Sequence, residues 1–309
     1  MNFEKLANEF CKHFILEGLQ AGFPKDRLVS LMEQYGNAVK QEIEHRTSFS
    51  IYNQAQSSQR ALGLDMFRVL IDQEHSQILG EENLKEIAAK IERGENVILL
   101  ANHQTEPDPQ AISLLLEKQY PRLSEEMIFI AGDRVVRDPM AIPLSLGCNL
   151  LCIFSKKYID TPPEKREEKL LHNKRTLNKM EELLKEGGKI IYVAASGGRD
   201  RKDDAGTLLP APFTPESVEL LYLIAKKSGS KTSFHTLALK SYDLLPPPAS
   251  LNIDLGEQRI PKRVPVHLYF GSALNLEGDE HISRHEMRQI RTERAFSDLL
   301  KNYQILDRL

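Results

Sequence analysis

The chain has little of what would assign it at once. Its 309 residues hold three cysteines, Cys11, Cys148 and Cys152. An odd count without a Cys-x-x-Cys pair argues against a disulfide framework and against a zinc site. Cys148 and Cys152 fall in the apolar stretch 146–154, where cysteine is expected to pack as a small hydrophobe. No apolar run approaches the roughly 20 residues that cross a bilayer as a helix. The opening residues, MNFEKLANEFCKHF, mix acids with apolar side chains and read as neither a secretory signal nor an Arg/Ser-rich transit peptide. The net charge is only −3. No general attraction to nucleic acid follows, and any basic site must be local. These absences point to a soluble protein of a reducing cytoplasm, although a mature organelle form would look the same.

What is present divides in two. Residues 1–80 carry helical spacing, in Phe3, Leu6, Phe10 and Phe14, then in Leu28, Leu31, Met32, Tyr35, Val39 and Ile43. Gly22 and Pro24 separate these stripes, and a weaker one runs through Phe67, Leu70 and Ile71. With no strand pattern between them, they predict a small N-terminal helical bundle. Residues 81–309 alternate. Helices are expected over Glu82–Arg93, Pro109–Lys118, Glu164–Glu186, Ser217–Lys227 and about Ile282–Lys301. Strands are expected over Asn96–Leu100, Met127–Ala131, Asn149–Ser155, Lys189–Ala194, His235–Lys240 and Val266–Phe270. Such alternation predicts an α/β domain, a mixed, largely parallel sheet flanked by helices. Sites in such domains gather where strands end. Pro246-Pro247-Pro248 reads as a rigid surface turn.

Three polar stretches follow directly on expected strands. In the first, Asn102-His103-Gln104-Thr105-Glu106-Pro107-Asp108-Pro109, a strand–turn–helix brings His103 and Asp108 within reach of each other. A neutral imidazole can take a proton from a hydroxyl, and a carboxylate on its other nitrogen fixes the tautomer. Asp108 before Pro109 is equally a good helix N-cap. In the second, Ser196-Gly197-Gly198-Arg199-Asp200-Arg201, extended backbone puts Arg199 and Arg201 on one side, two forks that suit a phosphate. A solvated charged loop, partly neutralised by Asp200 and Asp203, is the plainer alternative. Ser196 lacks the first glycine of a nucleophile elbow. In the third, Ser155-Lys156-Lys157-Tyr158, adjacent lysines point to opposite sides, so at most one faces a shared site. Together the stretches describe a base beside a phosphate clamp, without naming the electrophile.

In this combination the chain resembles the soluble, plastid-type glycerol-3-phosphate acyltransferases, which also occur in chlamydia-like bacteria. The resemblance is carried by Asn102–Pro109, Ile153–Lys157, Ser196–Arg201 and Pro210-Ala211-Pro212-Phe213, in the family's order. It is strongest from about 96 to 215. The His-x4-Asp motif is common to glycerolipid acyltransferases, and the Ser-Gly-Gly-Arg-Asp-Arg block is more specific to this branch. The resemblance implies transfer of a fatty acyl group from an acyl-carrier-protein or coenzyme A thioester to the 1-hydroxyl of sn-glycerol 3-phosphate. It implies His103 as base, Asp108 as its orienting carboxylate, and Lys157, Arg199 and Arg201 as phosphate ligands. No metal or other cofactor is required, and contact with a membrane surface would be transient, on release of product. The chain departs from the pattern at Tyr158, usually His, which leaves one phosphate contact a single neutral hydrogen bond. It departs also at Ala195, usually Pro, and at Pro107, commonly Ala, where the turn holding Asp108 should stiffen. Acylation of lysophosphatidate is the rival enzymatic reading, and a non-catalytic phosphate- or carrier-binding relative the non-enzymatic one. On the last helix Arg284, Arg288, Arg291 and Arg294 recur at spacings of four, three and three. They form a stripe that suits either an acidic carrier or anionic headgroups, or else a solvated face.

Overall fold

A computed structural model describes residues 3–45, 50–156, 159–246, 259–278 and 281–309. Three helices come first: α1 (Phe3–Gln20), α2 (Lys25–Glu44) and α3 (Ser57–Leu70). Phe10 and Phe14 of α1 are buried, with Leu28, Leu31, Met32, Tyr35 and Val39 of α2. The side chain of Phe3 lies outside the described residues. Ile43, read as the end of the α2 stripe, is 50% exposed, and Glu42 is buried in its place.

Two short strands interrupt this region, against expectation: β1 (Tyr52–Asn53) and β2 (Gln77–Leu79). They form opposite edges of the main sheet. With two and three residues, neither is long enough to show an alternating pattern. The chain continues through α4 (Glu81–Glu92), β3 (Asn96–Ala101), α5 (Asp108–Leu116), α6 (Pro121–Glu126), β4 (Ile128–Gly132), α7 (Ile142–Ser145) and β5 (Asn149–Ile153). It then runs through α8 (Arg166–Glu186), β6 (Ile190–Ala194), the hairpin of β7 (Arg201–Lys202) and β8 (Leu208–Leu209), and α9 (Pro215–Ser228). β9 (Thr232–Lys240), β10 (His267–Ala273) and α10 (Arg284–Leu306) complete it.

The eight-stranded sheet has the order β1-β5-β4-β6-β3-β9-β10-β2. From β5 to β9 every neighbouring pair is parallel, and β1 and β10 run against their neighbours β5 and β9. The mixed, largely parallel sheet is therefore as expected. β3 lies between β6 and β9, and all six of its residues are buried. Their alternation serves two cores. Val97, Leu99 and Ala101 join residues of α1 to α5 on one face; Ile98 and Leu100 join α8, α9 and α10 on the other. The N-terminal helices thus pack into the same core as one face of the sheet. Cutting any of these central leucines to Ala should cost about 2–5 kcal/mol. Cys148 and Cys152 are buried and unpaired, and burial pushes both thiols up to about 12, so they pack as expected. No helix among the described residues is long and apolar enough to cross a membrane.

Candidate active site

Because β3, β6 and β9 are adjacent and parallel, their carboxyl ends deliver residues to one edge of the sheet. His103 follows β3, Ser196–Arg201 follows β6, and Ser241 follows β9. The turn after β3 folds back as its sequence suggested. His103 Nδ1 lies 2.8 Å from Asp108 Oδ2. Asp108 is fully buried, whereas the His103 side chain remains 26% exposed. Asp108 does not cap α5. The N-cap position is Pro107, and Asp108 is the first helical residue. Its Oδ2 instead accepts the backbone N–H of Gln104 at 2.9 Å and of Thr105 at 3.3 Å. Its Oδ1 accepts the hydroxyl of Ser241 at 2.6 Å. A carboxylate so placed can only accept, so Nδ1 of His103 carries the hydrogen and Nε2 the lone pair. Burial is the largest influence on His103 and lowers its pKa. The hydrogen bond and charge of Asp108, with the charge of Glu106, outweigh it, and the net pKa lies above the ordinary 6.5.

The neighbouring polar residues hold this turn in place. Asn102, fully buried, donates to Asp200 Oδ2 at 2.7 Å and to the Leu239 carbonyl at 3.0 Å, and accepts the Leu239 N–H at 2.8 Å. Gln104 accepts the N–H groups of Ser241 and Tyr242 and donates to Asp200 and to the Tyr303 hydroxyl. Asp200, read from sequence as a loop counter-charge, is buried and points into the protein. Its N–H donates to the His103 carbonyl at 2.6 Å, and its Oδ1 accepts the N–H of Ala211 at 2.8 Å. Burial, only partly offset by these donors, raises its pKa from 3.8 to about 6.

With Asp200 turned inward, Arg199 and Arg201 share the other side, as extended backbone requires. Both line an open groove of about 510 Å³ whose remaining walls are Leu209, Pro210, Ala211, Pro212, Phe296 and Leu300. Arg199 is also ion-paired to Glu106, a partner sequence reasoning missed, and Arg259 donates to the same carboxylate at 2.5 Å. Glu106 lies inside the His103–Asp108 turn, but Arg259 comes from 153 residues away, with no local signal. Ser241, 133 residues from Asp108, was missed for the same reason. Asp200 did have a signal: between two residues that share one side of an extended segment, it must face the other. Lys157 and Tyr158 lie outside the described residues; Lys156 beside them is exposed. Pro247 and Pro248 are likewise outside them.

The arginine stripe of α10 is only partly open: Arg284 and Arg294 are exposed, while Arg288 and Arg291 are engaged by α9. Arg291 is buried against α9, paired with Glu219 at 2.7 Å, bonded to the Leu276 carbonyl and stacked 3.9 Å from the Tyr222 ring centroid. Arg288 pairs with Glu216. Arg294 donates to the Asn275 carbonyl at 3.1 Å. Among the described residues no group of three or more His, Cys, Asp or Glu could hold a metal ion.

An imidazole braced by a buried carboxylate at the carboxyl edge of an α/β sheet, beside arginines, is an arrangement for activating a hydroxyl. Residues 75–242, more than half of the chain, match the family described as Acyltransferase, and the chain belongs to that family. Within it, a chloroplastic glycerol-3-phosphate acyltransferase of Cucurbita moschata is 37% identical over 296 residues, covering 93% of this chain and 66% of that protein. The chloroplastic glycerol-3-phosphate acyltransferase of Arabidopsis thaliana is 40% identical over 194 residues, covering 62% of this chain and 42% of that protein. That of Spinacia oleracea is 40% identical over 201 residues, covering 65% and 43%. This chain thus spans between 42% and 66% of the length of these relatives.

Proposed function

We propose that this chain is a glycerol-3-phosphate 1-O-acyltransferase that uses an acyl-carrier-protein or coenzyme A thioester as donor. The reading rests above all on the 2.8 Å bond between His103 Nδ1 and Asp108 Oδ2. The relatives named for glycerol 3-phosphate support the choice of acceptor. In the proposed reaction Nε2 of His103 takes the proton of the 1-hydroxyl as its oxygen bonds to the thioester carbonyl carbon. The resulting tetrahedral oxyanion collapses, the carbon–sulfur bond breaks, and the thiolate receives the proton held on Nε2. A thiolate leaves readily, so neither a covalent enzyme intermediate nor a metal is needed. Asp108 keeps the tautomer and stabilises the imidazolium while it exists.

Arg199 and Arg201, with Lys157 and the neutral Tyr158, are proposed to hold the phosphate. The groove that begins at the two arginines is otherwise apolar, which suits a molecule with a charged head and an alkyl tail. The product is 1-acyl-glycerol 3-phosphate, the first intermediate of phospholipid synthesis. The enzyme would work in the cytoplasm or stroma and meet a membrane surface only as it releases that product.

The test is acyl transfer from acyl-carrier protein to radiolabelled glycerol 3-phosphate, with wild type and His103→Ala in parallel. Lipid product from wild type alone is the expected result. No product from wild type rejects the acceptor assignment and makes lysophosphatidate the next one to try. Product from both removes His103 from the reaction.

A further inference from the structure

Arg259 is carried to the site by the fold alone. Its side chain is only 9% exposed. Nη2 donates to Glu106 Oε1 at 2.5 Å, and Nη1 donates to the Pro246 carbonyl at 3.1 Å. The same Oε1 accepts Nη1 of Arg199. One carboxylate oxygen therefore serves two guanidinium groups, while Glu106 Oε2 is buried with no partner. A buried, unpaired carboxylate oxygen is costly, and it will take any donor that can reach it. Glu106 sits within the His103–Asp108 turn, so whatever governs its carboxylate acts at the centre of the site.

We propose that Arg259 is a positioning residue of the acceptor site, acting through Glu106 to keep Arg199 available to the acceptor's phosphate. The inference rests on the reading of Arg199 as a phosphate ligand. With Arg259 in place, the carboxylate's demand for donors is shared, and Arg199 meets it through Nη1. Without Arg259, the buried carboxylate draws Arg199 into a fork-to-fork pair that fills both oxygens. Donors that would face the phosphate are withdrawn.

Steady-state kinetics of Arg259→Ala and Arg259→Lys, varying glycerol 3-phosphate and acyl-coenzyme A separately, test this. Arg259→Ala should raise KM for glycerol 3-phosphate about 10–100-fold, the range for one lost charge-assisted hydrogen bond. KM for the donor should stay within about twofold. Arg259→Lys should recover most of the loss, because an ammonium can reach the same oxygen. The double variant Glu106→Gln/Arg259→Ala should bind acceptor better than Arg259→Ala, because a neutral amide no longer captures Arg199. KM does not depend on the folded fraction, so a poorly folding variant does not imitate the effect. An unchanged acceptor KM, an equal rise for both substrates, or a double variant worse than the single one overturns the proposal. If wild type transfers acyl groups to glycerol 3-phosphate and these variants behave in that way, this inference alone fails. If wild type neither binds nor acylates glycerol 3-phosphate, the functional reading fails with it.

Discussion

Two histidines, one on β9 and one just past the end of the neighbouring β3, show what makes an imidazole a base. His235 pairs across the sheet with Leu99 of β3, and His103 follows two residues after that strand ends. His235 is fully buried. Its Nδ1 donates to the Gly271 carbonyl at 3.0 Å, and its Nε2 accepts from Lys90 Nζ at 3.2 Å. Burial lowers its pKa, and Lys90 lowers it further. Both nitrogens are occupied, so His235 is a structural cross-link between α4, β9 and β10. His103 meets the same lowering by burial, but its Nδ1 partner is a carboxylate, and the net shift is upward. Among the described residues its Nε2 has no hydrogen-bond partner. A third histidine isolates the remaining requirement. His75 lies 2.7 Å from Asp72 but is 70% exposed, a carboxylate-paired imidazole without an enclosing site. A base therefore needs the carboxylate, the open nitrogen and the enclosure together, and only His103 among these three has all of them.

His103→Ala should lower kcat by about 10⁴-fold with little change in melting temperature, measured by acyl transfer and thermal denaturation. Asp108→Asn keeps the shape but gives His103 a neutral partner, as the Gly271 carbonyl is to His235. Its kcat should fall on the order of 10³-fold. His235→Ala should do the reverse, leaving kcat within about threefold while removing about 2–4 kcal/mol of stability in a urea titration. A large kcat loss there would erase the distinction between the two residues. The smallest effect is expected at Ser241. Ser241→Ala removes one hydrogen bond from the buried carboxylate, so kcat should fall roughly tenfold, with KM for both substrates held.

Much of this was legible in the sequence because it depends on near neighbours. β3 was expected over Asn96–Leu100 and runs Asn96–Ala101; β6 was expected over Lys189–Ala194 and runs Ile190–Ala194. Their apolar runs are buried on both faces and bounded by polar turns, which makes the signal strong. β9 starts three residues earlier than expected, at Thr232, because hydroxyl side chains hide a strand that β3 pairs with from its first residue. The His103–Asp108 pair was readable because five residues suffice to close the turn. Asp108 as a helix cap was the wrong alternative: the donors that claim its carboxylate come from the turn before it and from Ser241, just past the end of β9.

The two arginine clusters show the limit. Arg199 with Arg201, and the stripe of Arg284, Arg288, Arg291 and Arg294, both read as basic patches. Glu216, Glu219 and Tyr222 of α9 engage Arg288 and Arg291 of the second set from more than 60 residues away, and spacing within α10 carries no trace of that. Arg259 and Ser241 escaped notice for the converse reason: each reaches the site only through tertiary structure.

Whether the carboxylate governs the base is read from the pH dependence of kcat/KM for wild type and Asp108→Asn. The neutral imidazole is the active form, so the rate should fall as pH drops through the pKa of His103. In wild type that inflection should lie above 6.5, the direction in which Asp108 moves it. In Asp108→Asn burial is opposed only by the charge of Glu106, and the inflection should move to lower pH while the plateau falls. Identical profiles for the two enzymes would mean that the carboxylate does not govern the base, and would contradict the account.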